Sequence, residues 1–312
     1  MSRIRDALKK AEEEKAAGLP PLGGGVSQEP GESGLAQSSL PEAGAAGTAL
    51  GTRSGAREGP GLITLEVLEA RCSRPHWKPD PRKTLFSDSP NHALASEQFR
   101  TLRSRLYLIR EKRPLRTLLI MSALPLEGKT FVATNLACIL ARQRERRVLL
   151  VDADLRRSHA HVVLGAPATP GLSDYLQGVA DEFSILQRGP QGNLFLIPAG
   201  KSVAHPAELI ANGRLGNLIQ RLGPIFDWIV IDSPPVIPVS DASLLAELCD
   251  GLLLVIRADA TPYDLARKVG EEFRAKRLLG VVLNRATPGS GYSSYYYGAG
   301  HPEAARKNRK LG

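Results

Sequence analysis

Six short runs rich in Val, Ile and Leu, at 117–122, 148–152, 194–198, 228–232, 252–256 and 280–283, constrain this chain most. Between them lie stretches with helical periodicity, at 129–143, 206–222, 240–248 and 262–276. Strands with one wet face alternate apolar and polar residues, whereas these runs are apolar nearly throughout, so both of their faces must be covered. Strand alternating with helix predicts an α/β fold over 91–286: a doubly wound, mostly parallel sheet with helices on both faces. Ligands of such sheets bind beyond the carboxyl ends of the strands.

Those ends carry the chemistry. The first run leads into Ala123-Leu124-Pro125-Leu126-Glu127-Gly128-Lys129-Thr130 and then directly into a helical pattern. This is the place and shape of a phosphate-binding loop, in which backbone N–H groups at a helix start meet phosphate oxygens, a lysine reaches the β/γ oxygens and a hydroxyl reaches Mg²⁺. Ala123 stands where the G-x-x-x-x-G-K-S/T pattern has its first glycine, while Gly128, Lys129 and Thr130 are intact. Pro125, Leu126, Glu127, Gly128, Lys129, Thr130 and Phe131 are therefore candidates for binding a nucleotide's phosphates. The second run ends in Asp152-Ala153-Asp154-Leu155-Arg156-Arg157 and the fourth in Asp232-Ser233-Pro234-Pro235. A carboxylate at the carboxyl end of an apolar strand delivers its charge to the ligand crevice. Thr130, Asp152 and Asp232 are the candidate Mg²⁺ ligands, direct or through water, and Asp152 and Asp154 can both face the site only if the strand has already broken into loop.

Elsewhere the pattern excludes more than it assigns. The formal charge of +9 permits an anionic partner, yet the basic residues are dispersed, which reads as a solvated surface and not a nucleic-acid footprint. No eighteen apolar residues run together, so neither a membrane span nor a signal peptide is expected. Cys72, Cys138 and Cys249 are odd in number and far apart, as in a reduced, cytoplasmic protein. Residues 1–17 predict a short amphipathic helix with Ile4, Leu8 and Ala11 on one side. Residues 18–61 predict a disordered Gly/Pro/Ala linker without a single aromatic residue, and 62–90 a connection of unassigned fold. Asp241 reads as a helix cap, and His159 and His161 lack a third ligand for a metal site.

Together, Lys129 with Thr130, the Asp152-x-Asp154-x-Arg156 run and the Ile-Asp232-Ser-Pro-Pro run resemble the three nucleotide motifs of the bacterial tyrosine kinases, the P-loop-type autokinases of capsule and exopolysaccharide synthesis. The resemblance implies ATP and Mg²⁺ as cofactors. It implies a catalytic Lys129 and a carboxylate, Asp152 in the first place or Asp154, to orient or deprotonate a tyrosine hydroxyl. It also implies Arg156 as a phosphate or loop contact and Asn284 as an adenine contact. Glu97-x-x-Arg100-x-x-Arg103 has the spacing that mediates contacts between subunits of a ring-shaped homo-oligomer in that family. Four of the seven tyrosines, Tyr292, Tyr295, Tyr296 and Tyr297, lie in a Gly- and Ser-rich tail over 287–312, placed like the cluster phosphorylated there by a neighbouring subunit. The implied partner is the cytoplasmic segment of a membrane polysaccharide co-polymerase adaptor, which would recruit the chain to the inner face of the membrane.

One departure concerns the loop itself. Leu126 replaces the glycine common in family loops, so a positive φ there would cost on the order of 1 kcal/mol. Two other functions stay open. A partitioning or cell-division ATPase would carry a lysine at position 124, which here is Leu; a regulator that binds ATP and assembles on a polysaccharide-export complex without phosphorylating anything is kept open by Leu126.

Overall fold

The computed structural model describes residues 63–85, 93–237 and 239–286. The helix expected at 1–17, the linker at 18–61 and the tail with Tyr292, Tyr295, Tyr296 and Tyr297 lie outside the described residues.

The elements in order are α1 (Leu65–Arg71), α2 (Ala93–Lys112), β1 (Thr117–Ser122), α3 (Lys129–Ala141), β2 (Val148–Asp152), α4 (Ala160–Leu164), α5 (Leu172–Leu176), β3 (Gln187–Arg188), β4 (Leu194–Ile197), α6 (Pro206–Ala211), α7 (Arg214–Leu222), β5 (Trp228–Asp232), α8 (Asp241–Glu247), β6 (Gly251–Arg257), α9 (Tyr263–Arg274) and β7 (Leu278–Asn284). The seven strands form one sheet in the order β3-β4-β2-β5-β1-β6-β7, parallel throughout except for the two-residue β3. The expected doubly wound sheet is thus present. β5 lies at its centre with β1 next to it, between β5 and β6, and the loop that leaves β1 opens at the carboxyl edge.

Strand pleating sorts the core into two layers. Leu119, Met121, Leu149, Val151, Ile229, Ile231 and Leu254 face one layer, packed under α5 to α9. Leu118, Ile120, Val148, Leu150, Val230, Leu253 and Val255 face the other, against α2, α3 and α4. α3 is buried from Val132 to Ala141, which accounts for its apolar residues on every side. Such a helix cannot shift without opening the core, so its first turn holds Lys129 and Thr130 in fixed positions.

The unassigned connection proves to be a strap. Ile63, Leu68 and Cys72 pack into the first layer, and Trp77 and Leu85 into the second, so residues 63–85 pass around the β3 edge from one face of the sheet to the other. At the crossing Ser73 pairs with Gln187. Beyond it, the Asn135 side chain of α3 accepts the Leu85 N–H at 2.7 Å and donates to the Lys83 carbonyl at 2.9 Å, fixing the end of the strap beside the nucleotide loop.

Three differences from the sequence reading have local causes. The helix expected over 206–222 is two helices, because Gly213 takes φ 80° between α6 and α7. Asp241 is no cap: Ser240 holds the cap position, and Asp241 is the fully buried first residue of α8. β3 and the short α1, α4 and α5 carry too few residues for periodicity to register. Among the described residues no helix is long and apolar enough to cross a membrane, and all three cysteines are buried and unpaired.

Candidate functional site

A cavity of 770 Å³ opens where β1, β2 and β5 end. Its lining includes Pro125, Leu126, Gly128, Lys129, Thr130, Phe131, Asp154, Arg156 and Asn284 from the sequence-derived set. The first internal bond of α3 runs from Val132 N to the Gly128 carbonyl, so the N–H groups of Lys129, Thr130 and Phe131 precede the ladder and lie at the positive end of the helix.

The loop is shaped by two positive φ angles, 65° at Leu126 and 94° at Gly128. The strain expected at Leu126 is therefore present, with its side chain 82% exposed. Gly128 is required twice over: by its φ, and because a Cβ there would lie 2.0 Å from Asn284 Nδ2. Asn284 uses that amide to donate to the Glu127 carbonyl at 2.9 Å, and its Oδ1 accepts the Arg285 N–H. Asn284 thus lines the cavity but spends its amide on the loop, a role the sequence reading did not give it. Glu127 also departs from expectation. Its carboxylate is buried, accepting the Leu124 N–H at 2.7 Å and the Thr261 hydroxyl, so it braces the loop from behind and does not line the cavity. Thr261, between β6 and α9, was not singled out from sequence and carries no local signal.

Charge is concentrated on the floor. Lys129 Nζ lies 2.8 Å from Asp154 Oδ2 in a pair that is nearly buried. Burial works against the lysine's charge, but Asp232, Asp154 and Asp152 outweigh it and hold its pKa above the ordinary value. Asp152 and Asp232 are register partners on adjacent strands, both fully buried. Burial pushes both carboxyls upward; Asp232 adds to the rise at Asp152, while the Ala160 N–H and Lys129 oppose it there. Asp152 accepts hydrogen bonds from the N–H groups of Asp154, His159 and Ala160, which pins the loop after β2. Both oxygens of Asp232, by contrast, have no hydrogen-bond partner, although Lys129 and the Thr130 hydroxyl are near enough to favour its ionised form. A buried carboxylate with two unused oxygens beside a threonine hydroxyl and a phosphate loop fits a hydrated Mg²⁺. Asp152, with its three backbone donors, does not line the cavity, whereas Asp154, whose Oδ1 accepts the Arg156 and Arg157 N–H groups, lines it and presents Oδ2 to Lys129.

Arg156 is held by Asp241 through two bonds of 2.8 and 3.0 Å, a planar pair joining the loop after β2 to the start of α8. This is the function of the buried Asp241. Sequence reasoning missed three further cations of the lining, Lys83, Arg157 and Arg285. Arg157 was within reach, next to Arg156; Lys83 lies in the Pro-rich strap and carried no signal. Of the residues expected at an oligomer interface, Glu97 and Arg100 form an ion pair on α2, and Arg103 donates to the Ile139 carbonyl of α3 at 3.2 Å.

Residues 127–297 match the family described as the CobQ/CobB/MinD/ParA nucleotide binding domain. The chain is 33% identical over 209 residues to the tyrosine-protein kinase YwqD of Bacillus subtilis, covering 66% of this chain and 87% of the relative. It is also 33% identical over 210 residues to the tyrosine-protein kinase wzc of Salmonella typhimurium, where it spans 29% of the relative's length. The solved kinase domain of the Escherichia coli tyrosine kinase ETK superposes with a TM-score of 0.61 at 29% identity, over 73% of this chain and 91% of that one.

Proposed function

From a chain that belongs to the MinD/ParA-type nucleotide-binding family, and within it to the bacterial tyrosine-protein kinases, we propose an ATP-dependent autokinase that phosphorylates the tail tyrosines Tyr292, Tyr295, Tyr296 and Tyr297 of a neighbouring copy. The observation that carries this reading is the buried, unpartnered Asp232 carboxylate set beside Lys129 and Thr130 beneath a phosphate loop.

ATP would place its phosphates on the N–H groups at the start of α3 and against Lys129. The Thr130 hydroxyl and Asp232 would hold Mg²⁺, directly or through water, and the ion would supply neutralisation of phosphate charge. Lys129 then leaves Asp154 for the phosphate, which frees Asp154 Oδ2 to accept the proton of the incoming tyrosine while Oδ1 stays with the Arg156 and Arg157 N–H groups. That hydroxyl has an ordinary pKa of about 10, so a carboxylate at the reacting oxygen assists it at neutral pH. The γ-phosphorus exchanges its bond to the bridging oxygen for one to the tyrosine oxygen, and ADP departs. Positioning and charge supply most of the rate, as is general for phosphoryl transfer.

Supported by the same kinship, the chain acts in exopolysaccharide or capsule synthesis, as a homo-oligomer built through α2 and activated by the cytoplasmic segment of a membrane adaptor. Incubation with labelled ATP and Mg²⁺, with and without that segment, tests the reading. Label is expected on the parent chain and is expected to vanish in Lys129→Ala and in the variant with all four tail tyrosines changed to Phe. Equal label without the tail tyrosines would overturn it, and tight ATP binding with no label would favour the non-catalytic regulator.

A further inference from the structure

The cavity lining carries cations that the site described above does not use. Of the five Lys and Arg side chains in its lining, Lys129 is matched by Asp154 and Arg156 by Asp241. Lys83, Arg157 and Arg285 remain. Among the described residues neither Arg157 nor Arg285 pairs with a carboxylate, and Lys83 has only the half-buried Asp80 at 3.6 Å. All three side chains are exposed, and they come from three separate places: the end of the strap, the loop after β2 and the residue after β7.

The acceptor tail offers nothing to satisfy them as synthesised. Residues 287–302 contain the four tyrosines and no Asp or Glu. One transferred phosphate changes this, adding about −1.5 to −2 charges at neutral pH and three acceptor oxygens suited to arginine's planar fork.

We propose that Lys83, Arg157 and Arg285 form an anion subsite at the cavity mouth for a phosphotyrosine of the acceptor tail, so that the first phosphate placed on the tail promotes transfer to a neighbouring tyrosine. The inference rests on the kinase reading above. The subsite takes no part in bond changes; it holds one phosphotyrosine while another hydroxyl on the same tail meets the γ-phosphate. In an extended chain residues two apart share a side, which suits the pair Tyr295 and Tyr297.

The test uses the full chain with its four tail tyrosines changed to Phe, so that it cannot serve as its own acceptor. Two peptides of residues 288–300 carry Tyr292→Phe and Tyr296→Phe; one is phosphorylated at Tyr297 and the other carries Tyr297→Phe, so that Tyr295 is the acceptor in both. Transfer to Tyr295 is followed as kcat/KM, and peptide affinity by fluorescence anisotropy in ADP and Mg²⁺. The phosphopeptide is expected to lead by about tenfold in both. In the Lys83→Ala/Arg157→Ala double variant that ratio falls towards one, and Arg157→Lys keeps part of it. Equal kcat/KM and affinity for the two peptides would overturn the proposal while leaving the kinase intact, as would a preference that survives the double variant. If neither peptide is labelled the kinase reading fails, and the anisotropy ratio still decides the subsite: parity of the two affinities rejects it.

Discussion

The floor and the mouth of the cavity carry similar residue types under opposite conditions. On the floor, Lys129, Asp154 and Asp232 stand on the first turn of a buried helix, just past β2 and at the end of β5, nearly out of reach of solvent. At the mouth, Lys83, Arg157 and Arg285 are carried by the strap and by loops, and solvent surrounds them. A charge on the floor acts at low effective dielectric and cannot relax, whereas one at the mouth is screened within about 8 Å at physiological salt. The floor therefore suits a reaction, and the mouth suits selection among acceptors.

Removing a floor charge should have the largest effect. Lys129→Ala is expected to lower kcat/KM for autophosphorylation by about 10³-fold or more, the scale for losing a donor that stabilises developing charge. Salt separates the two regions further. The loss in Lys129→Ala should be the same at low and high ionic strength, while effects at Arg157 shrink as salt rises; equal salt dependence would abolish the distinction.

The loop between floor and mouth comes next. Gly128→Ala sets a Cβ against Asn284 at a φ that side chains disfavour, and nucleotide affinity measured by calorimetry should fall about 100-fold. Thr261→Val removes the donor to Glu127 and should raise the KM for ATP by about tenfold with kcat less affected, since it acts through the brace. Equal losses in kcat and KM would place Thr261 nearer the chemistry than its position allows.

Stability should move the other way at Asp232. Burial lifts its pKa to about 6, so the folded state disfavours the ionised form. Stability of the nucleotide-free protein then falls as pH rises from the ordinary carboxylate range through that value, because the unfolded chain gives up the proton first. Asp232→Asn should flatten this slope and raise stability near pH 7 by about 1–2 kcal/mol in thermal or urea unfolding, while abolishing transfer. A destabilised Asp232→Asn would mean that the carboxylate has a stabilising partner after all. The smallest effect belongs to Leu126→Gly: relief of the φ of 65° against added freedom in the unfolded chain leaves a gain of about 0.5 kcal/mol.

Much of this was legible in the residues. The bounds of β1, β2 and β5 coincide with the runs that marked them, because a strand buried on both faces needs an unbroken apolar stretch and ends where a charge must reach water or ligand. The phosphate loop was legible for a similar reason, Gly128 and Lys129 being needed at fixed offsets from a strand and a helix. The roles of Asp152, Asn284, Glu127 and Asp241 were not. Each is set by a partner whose approach leaves no local pattern: Asp241 meets Arg156 across 85 positions, and Thr261 meets Glu127 across 134.

By itself, then, the sequence determined the parallel sheet, the site at its carboxyl edge and the set of charged residues available there, since these follow from periodicity and spacing along one stretch of chain. Which carboxylate faces a ligand, which one braces a loop and which cations the strap brings to the mouth were decided only by the tertiary structure. Asp152 and Asp232 are both strand-end aspartates in apolar runs, and they differ only in what three-dimensional packing sets around them: three backbone donors for Asp152, and for Asp232 two oxygens left without a partner.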